Sequence, residues 1–179
     1  EAEKARMLRK TEVLTYTPRK DIPPISDLGG YDDLIDFVRQ RALAYTPQAA
    51  RIKLDMPKGV GLVGVPGTGK SWAAMGIANA LGLPLLEFDF SSVFQGIVGA
   101  SEARVREVIA LVTAIDGSVL LIDEIDKAMG GGLESTGDSG VTRRVIGVLL
   151  SWLARKKDRT FVVFTMNRTK GLPPELIRK

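Results

Sequence analysis

A glycine-rich octapeptide at residues 64–71, Gly-Val-Pro-Gly-Thr-Gly-Lys-Ser, constrains this chain more than any other feature. It satisfies the pattern G-x-x-x-x-G-K-[ST], in which the glycines let successive backbone N–H groups turn toward one anion. The apolar stretch 59–63 precedes it and the helical apolar pattern 70–81 follows it. This order predicts a phosphate-binding loop, because the helix adds its N-terminal N–H groups and the positive end of its dipole. A plain glycine-rich turn is the weaker interpretation in this context.

The composition narrows the chemistry that the chain can perform. Its 179 residues, of which 45% are hydrophobic and 26% charged, predict a soluble globular domain. The chain contains neither Cys nor His, which excludes disulfides, thiolate nucleophiles, Ser–His triads and the usual zinc sites from this segment. Carboxylates, Lys, Arg, hydroxyls and a hard cation such as Mg²⁺ remain, and phosphoryl transfer fits that set. No apolar run in the sequence approaches the ~20 residues that a membrane span needs.

Apolar runs and helical patterns alternate along the chain. They predict an N-terminal helix and linker, 1–25, followed by one α/β domain, 26–179. The predicted strands are 59–63, 85–90, 118–122 and 160–166, and the predicted helices are 70–81, 101–115 and 140–156, with a further helix from Asp32 that ends before Pro47. The strands are almost continuously apolar, which is typical of a parallel sheet covered by helices on both faces. Residues 129–140, rich in Gly and Ser, predict a mobile loop.

Two carboxylates follow the apolar run 118–122. Asp123 and Glu124 fall at the carboxyl end of a predicted strand, where open α/β sheets bind their ligands. We expect Asp123 to orient the shell of a Mg²⁺ ion ligated by Ser71, Glu124 to orient the attacking water, and Lys70 to reach the β- and γ-phosphates. Asn167 ends the last predicted strand, where it could hold the water or the γ-phosphate. Taken singly, solvated acids or an Asn that opens a turn would explain these residues equally well.

The order of these motifs resembles that of the AAA+ ATPases, in their AAA subgroup. The resemblance covers residues 26–179 and rests on Asp-Leu-Gly-Gly at 27–30, the Walker A loop at 64–71, the Walker B strand at 119–124, the sensor Asn167 and Pro-Glu-Leu-Ile-Arg at 174–178. The segments 96–102, 122–127 and 138–140 are similar to an AAA protein encoded in cyanobacterial and plastid genomes. The resemblance implies a P-loop NTPase three-layer sandwich that binds ATP and Mg²⁺.

The resemblance also implies residue roles. Asp27 and Gly29 would line the adenine pocket, and Arg178 would act as an arginine finger on ATP held by a neighbouring subunit. Nucleotide contacts are expected from Pro66, Gly67, Thr68, Gly69, Lys70, Ser71 and Trp72. A trans arginine implies a homo-oligomeric ring, a hexamer in the family. In the first pore loop Ile97 replaces the family's aromatic residue, which puts threading by an aromatic paddle in doubt, and Phe94 is expected in the core.

The family pattern also predicts what surrounds this segment. Its final strand and helical lid would lie beyond residue 179, so we expect a fragment of a longer protein. In the family's order the strand 59–63 lies between 160–166 and that final strand. Without the final strand an apolar sheet edge is exposed, and we expect the isolated segment to be poorly stable or prone to aggregation.

Three functions are compatible with these residues. The leading one is Mg²⁺-dependent ATP hydrolysis that drives remodelling of a macromolecule, most readily a protein, in the cytoplasm or, by resemblance, the plastid stroma. An ATP-dependent nucleic-acid-handling factor such as a helicase loader is the alternative. The net charge of +4 supports it weakly, while the scattered charge and the lack of interleaved aromatic and basic residues count against it. A nucleotide-gated assembly module without turnover is the third, and Glu124 counts against it.

Overall fold

A five-stranded sheet lies at the centre of the computed structural model, which describes residues 13–27, 29–94, 100–126 and 139–168. The strands are β1 (Leu14–Thr17), β2 (Gly59–Val63), β3 (Leu85–Phe88), β4 (Val119–Ile122) and β5 (Phe161–Met166). Their order across the sheet is β1-β3-β4-β5-β2. The strands β3, β4, β5 and β2 run parallel, and β1 pairs with β3 antiparallel.

Five α-helices follow in chain order within the described residues. They are α1 (Asp32–Ala42), α2 (Pro47–Arg51), α3 (Lys70–Leu81), α4 (Ala100–Ile115) and α5 (Ser139–Arg155), with 3₁₀ helices at Arg19–Asp21, Ile25–Asp27, Leu43–Tyr45 and Phe90–Phe94. The helices predicted over 70–81, 101–115 and 140–156 are confirmed to within one residue at each end, and the helix predicted from Asp32 ends at Ala42. Not one of the helices described combines the length and the apolar content needed to cross a membrane.

Some predicted boundaries were wrong. Strand β3 ends at Phe88 rather than residue 90, because the chain turns there into a 3₁₀ helix. Residues 139–140 form the first turn of α5 instead of belonging to the loop predicted over 129–140. The rest of that loop lies outside the described residues, as do residues 1–12 of the predicted N-terminal helix and linker.

Apolar residues on both faces of the sheet explain the continuous apolar runs. On one face Leu120 and Val162 pack with α4 and α5 around Val108 and Leu149. The other face packs with α1 and α3, whose buried residues include Val38 and Ile77. All six residues of β5 are buried, since the strand is covered on both sides. The predicted three-layer α/β architecture with helices on both faces is therefore confirmed.

The two edges of the sheet differ. Strand β1 lies in the segment expected as N-terminal helix and linker, and it pairs along β3 from Leu14 opposite Phe88 to Thr17 opposite Leu85. At the other edge β2 pairs with β5 alone within the described part of the chain. Val63 at the end of β2 is 52% exposed. Among the described residues β2 is thus the edge strand expected beside the phosphate loop, while the effect of this edge on stability stays a prediction.

Candidate functional site

The loop between β2 and α3 has the backbone shape of an anion cradle. Gly67 (φ 84°) and Gly69 (φ 82°) both adopt the left-handed conformation that other residues rarely enter. A side chain added at Gly67 would meet nothing within 4 Å, so the left-handed backbone conformation and not crowding favours glycine there. Gly69 is the N-cap of α3, and its carbonyl accepts the N–H of Ala73 at 2.8 Å. The earlier N–H groups of the helix therefore begin at this loop, as an anion site requires.

The ammonium group of Lys70 lies inside the loop. Its Nζ donates to the carbonyl oxygens of Gly64 (2.7 Å) and Val65 (3.0 Å), and to Asn167 Oδ1 at 3.0 Å. These acceptors are neutral, so phosphate oxygens would be stronger partners for the same ammonium group. The structure thus brings together Lys70 and Asn167, which the sequence separates by 97 residues.

Ser71, the last residue of the motif, contacts the end of β4. Its hydroxyl donates to Asp123 Oδ2 at 3.1 Å. Mg²⁺ is usually held by one or two carboxylates together with waters and substrate phosphates. No group of three or more acidic side chains that could hold a metal by itself occurs in the described ranges. A hydroxyl beside one carboxylate therefore fits a metal that is held jointly with a phosphate.

Glu124 follows Asp123 in a tight turn. It has φ 50°, a left-handed value that is uncommon for a residue with a side chain. Its backbone N–H donates to Thr165 Oγ1 at 2.8 Å, and the hydroxyl of Thr165 donates to Asp123 Oδ1. Sequence reasoning missed Thr165. The signal was one hydroxyl residue within the otherwise apolar run Phe-Val-Val-Phe-Thr-Met.

The end of β5 joins both halves of the site through three consecutive residues. Thr165 contacts the two carboxylate residues after β4, and Asn167 contacts Lys70. Between them, the carbonyl of Met166 accepts the N–H of Gly64 at 3.1 Å. The phosphate loop and the acidic turn are therefore positioned against the same strand.

A third carboxyl group lies near this turn. Glu87 on β3 is about half-buried, and burial first and the negative charge of Asp123 second raise its pKa above the ordinary 4.5. Sequence reasoning took Glu87 as part of an apolar strand. The influence of Asp123 on its pKa indicates that the acidic region extends from β4 to β3.

The remaining predicted site residues lie around the loop. Asp27 is exposed at the end of a 3₁₀ helix and accepts a hydrogen bond from Ser26 Oγ at 3.4 Å. Gly29 lies in the turn before α1, and Trp72 is 47% exposed in the first turn of α3. Pro66 and Thr68 are exposed in the loop.

A further contact to the loop comes from α1, and sequence reasoning missed it. The hydroxyl of Tyr31, the N-cap residue of α1, donates to the carbonyl of Thr68 at 2.6 Å. Phe94 packs against the core and contacts Phe90 edge-to-face at 5.6 Å, as predicted. Ile97 and Arg178 lie outside the described residues.

Comparison with known proteins identifies similar chains. The family model for ATPases associated with various cellular activities (AAA) matches residues 60–179. The AAA domain-containing protein ycf46 of Guillardia theta is 45% identical over 178 residues, which are 99% of this chain and 34% of that protein. The ycf46 protein of Pyropia yezoensis is 41% identical over 177 residues, 99% of this chain and 35% of its own length.

A more distant relative is the ATP-dependent zinc metalloprotease FtsH of Acidimicrobium ferrooxidans. It is 31% identical over 137 residues, 69% of this chain and 20% of its own length. The chain spans about a third of the length of the ycf46 proteins that it matches.

Proposed function

We propose that this chain, which belongs to the AAA family of ATPases, binds ATP with Mg²⁺ and hydrolyses the nucleotide. The main support for this proposal is a pair of hydrogen bonds. Ser71 donates to Asp123, and Lys70 donates to Asn167. A phosphate-binding loop, a metal-ligating carboxylate and a polar residue at the end of β5 then act at one place, as hydrolysis of a phosphoanhydride requires.

The loop would hold the phosphates through its backbone N–H groups together with the ammonium group of Lys70. On nucleotide binding, Lys70 would exchange its bonds to the carbonyls of Gly64 and Val65 for bonds to phosphate oxygens, which are stronger because the acceptor is charged. The residues proposed to contact the triphosphate are Pro66, Gly67, Thr68, Gly69, Lys70, Ser71 and Trp72. Asp27 and Gly29 are proposed to line the adenine pocket from the segment before α1.

Ser71 and Asp123 are the proposed ligands of Mg²⁺, either directly or through water. Bound there, Mg²⁺ would supply positive charge against the charge that develops on the phosphate oxygens. The hydrogen bond of 3.1 Å between Ser71 and Asp123 already holds two oxygen ligands side by side. This arrangement fits a cation that prefers hard oxygen donors.

Glu124 is the proposed residue that orients and polarises the attacking water. It lies directly after Asp123, on the turn that Thr165 contacts. Positioned proton acceptors of this kind contribute about 10²–10⁴-fold to rate. Asn167, adjacent to Lys70, would contact the γ-phosphate or the water from the end of the neighbouring parallel strand β5.

The assembly and the substrate are proposals from family membership. A ring of subunits, hexameric by resemblance, would let Arg178 of one subunit reach the nucleotide of the next, and such fingers contribute about 10³–10⁵-fold. We propose protein as the remodelled substrate, because the relative FtsH is named as an ATP-dependent metalloprotease. Cytoplasm or plastid stroma is the proposed location.

Two substitutions in the full-length protein test the enzyme. Lys70→Ala should abolish ATP binding, measured with a fluorescent ATP analogue. Glu124→Gln should keep binding and lower turnover by about 10²–10⁴-fold, measured as phosphate release. The exposed residues Lys20 and Glu107 offer matched controls, since Lys20→Ala and Glu107→Gln make the same changes outside the site. Wild-type binding by Lys70→Ala would reject the loop as the site, and wild-type turnover by Glu124→Gln would reject its assigned role.

One observation favours the nucleic-acid alternative as a second candidate. A cleft of about 990 Å³ between α4 and α5 is lined by more cations than acids, among them Arg106, Arg155 and Lys157. A phosphate backbone would bind there through counterion release, so binding of a labelled single strand should weaken steeply as salt is added. If no salt-dependent binding is detected, this candidate is excluded.

A further inference from the structure

We infer that Thr165 is a positioning residue for hydrolysis, whose buried hydroxyl orients both Asp123 and Glu124. The inference rests on the proposed function and adds to it a residue outside the motifs that define the site. Thr165 would touch neither nucleotide nor metal. It would act through Asp123, the proposed metal ligand, and Glu124, the proposed residue that orients the water.

The register of the sheet places Thr165 beside the acidic turn. Ile122 at the end of β4 pairs with Phe164 of β5, so the next residue of β5 lies alongside Asp123. The side chain of Thr165 is fully buried, while Asp123 is exposed. A hydroxyl held in the sheet can therefore fix a carboxylate that solvent would otherwise leave free to rotate.

The hydroxyl of Thr165 acts both as a hydrogen-bond acceptor and as a hydrogen-bond donor. It accepts the backbone N–H of Glu124 at 2.8 Å and donates its own proton to Asp123 Oδ1. Because a hydroxyl has one proton and two lone pairs, the donated bond must go to the carboxylate and the accepted bond must come from the amide. The polarity of this short chain of hydrogen bonds is thereby fixed.

The consequence for Asp123 is a defined carboxylate orientation. Its Oδ1 is held by Thr165, and its Oδ2 accepts from Ser71 at 3.1 Å. Bonds to opposite oxygens set the plane of the group, as residues behind a metal ligand commonly do. Removing the Thr165 hydroxyl would leave the hydrogen bond from Ser71 to orient this carboxylate.

The consequence for Glu124 is an anchored backbone. Its φ of 50° is a conformation that residues with side chains seldom adopt. The bond from its N–H to the buried Thr165 hydroxyl holds the turn in that conformation. Thr165 therefore fixes the backbone position from which the Glu124 side chain would reach the attacking water.

A purely structural role for Thr165 is the competing explanation, since threonine suits β-strands in general. The chain offers a matched control at the opposite end of the same strand. Thr160, directly before β5, is also fully buried, and its hydroxyl has no hydrogen-bond partner within the part of the chain described. Removing that hydroxyl tests burial and shape without touching the site.

The experiment compares Thr165→Val, Thr165→Ser and Thr160→Val in the full-length protein. Four quantities are measured. They are the binding of a fluorescent ATP analogue without Mg²⁺, the turnover number, the Mg²⁺ concentration that gives half-maximal turnover, and the Mg²⁺-dependent part of the thermal shift caused by ATP. Thr165→Val should bind the analogue as the wild type does. Its turnover and its Mg²⁺ affinity should fall by about 10–100-fold, the usual effect of removing a residue that orients a metal ligand. Thr165→Ser should restore both, and Thr160→Val should match the wild type.

Several results would overturn the inference. They are wild-type turnover and Mg²⁺ dependence in Thr165→Val, failure of Thr165→Ser to restore them, or an equal loss in Thr160→Val. If Thr165→Val does not fold, Thr165→Ala removes the same hydroxyl without adding a methyl group at its position, and the same outcomes apply.

Failure of the proposed function is seen separately. If the wild-type protein shows no turnover, the proposed hydrolysis is refuted. The effect of the variants on Mg²⁺ binding can still be compared through the Mg²⁺-dependent thermal shift. If the wild type shows neither turnover nor that shift, both the proposed function and the role of Thr165 are rejected.

Discussion

The close approach of β2 to β5 yields a prediction that compares two glycines on one strand. A Cβ added at Gly59 would overlap the carbonyl oxygen of Val162 and lie 2.9 Å from its carbonyl carbon. Both atoms belong to the backbone of a fully buried strand, so they cannot move aside cheaply. A Cβ added at Gly61 would lie 3.5 Å from the terminal methyl of Met166, which is an ordinary contact with a flexible group. Gly59→Ala should therefore be destabilising, and Gly61→Ala should not.

The magnitude follows from these distances. Forcing a methyl group into a packed region costs about 1–3 kcal/mol. Moving the strands apart also strains the bond from the Val162 N–H to the Lys58 carbonyl, now 3.0 Å long and worth about 1 kcal/mol. A total of about 2–4 kcal/mol lowers the melting temperature of a domain this size by about 4–16 °C. For Gly61→Ala the reduced freedom of the unfolded chain gives about 0.4–1 kcal/mol of stabilisation instead.

The assay is thermal unfolding of the full-length protein, in which the transition of this domain is identified by its response to ATP and Mg²⁺. Because β2 leads directly into the phosphate loop, Gly59→Ala should also weaken ATP binding. Equal melting temperatures for the two variants, or a larger loss in Gly61→Ala, would refute the reasoning. Either result would mean that general strand propensity decides the outcome rather than the contact at Gly59.

Two further predictions concern the surroundings of the site. Burial and the charge of Asp123 raise the pKa of Glu87 above 4.5. Above pH 4.5 the folded state therefore keeps a proton on Glu87 that the unfolded chain releases, and the free energy of unfolding falls as the pH rises through the raised pKa. Glu87→Gln should remove that fall, so the melting temperature of the variant should rise relative to that of the wild type as the pH increases. A difference between the two melting temperatures that stays constant across pH would contradict this. Tyr31→Phe removes the 2.6 Å hydrogen bond to the Thr68 carbonyl and should weaken binding of a fluorescent ATP analogue by about 2–10-fold. Unchanged binding would show that this contact does not organise the loop.

The elements nearest the phosphate loop were the most predictable from the sequence. The bounds of β2 (Gly59–Val63) and α3 (Lys70–Leu81) agree with the prediction at both ends. Glycines mark both ends of α3, since Gly69 and Gly82 adopt left-handed conformations as its caps. Local chemistry alone therefore decides where this helix begins and ends. The meeting of Asp123 with Ser71 was also predictable, because carboxyl ends of parallel strands share one edge of the sheet.

What the sequence could not predict depends on contacts between distant residues. Strand β1 is four residues long, and its strand conformation depends on the open edge of β3 that it covers. The role of Thr165 depends on a turn more than 40 residues earlier in the chain. Likewise, Tyr31 contacts a loop residue 37 positions away. In each case the local residue pattern is compatible with several partners, and only the packed sheet selects one.

The alternation of side chains along a strand explains why β5 can hold both halves of the site and still complete the core. Thr165 and Asn167 are two positions apart, and both contact residues of the site. Met166 between them packs with the core beneath α4 and α5, and only its backbone carbonyl contacts the loop, at Gly64. The Met166 side chain is therefore replaceable by another apolar residue of similar volume, while Thr165 and Asn167 are constrained by chemistry. A polar, apolar, polar triplet at the end of a buried parallel strand is thus a sequence signal for residues that organise a site, even where the strand before it is wholly apolar.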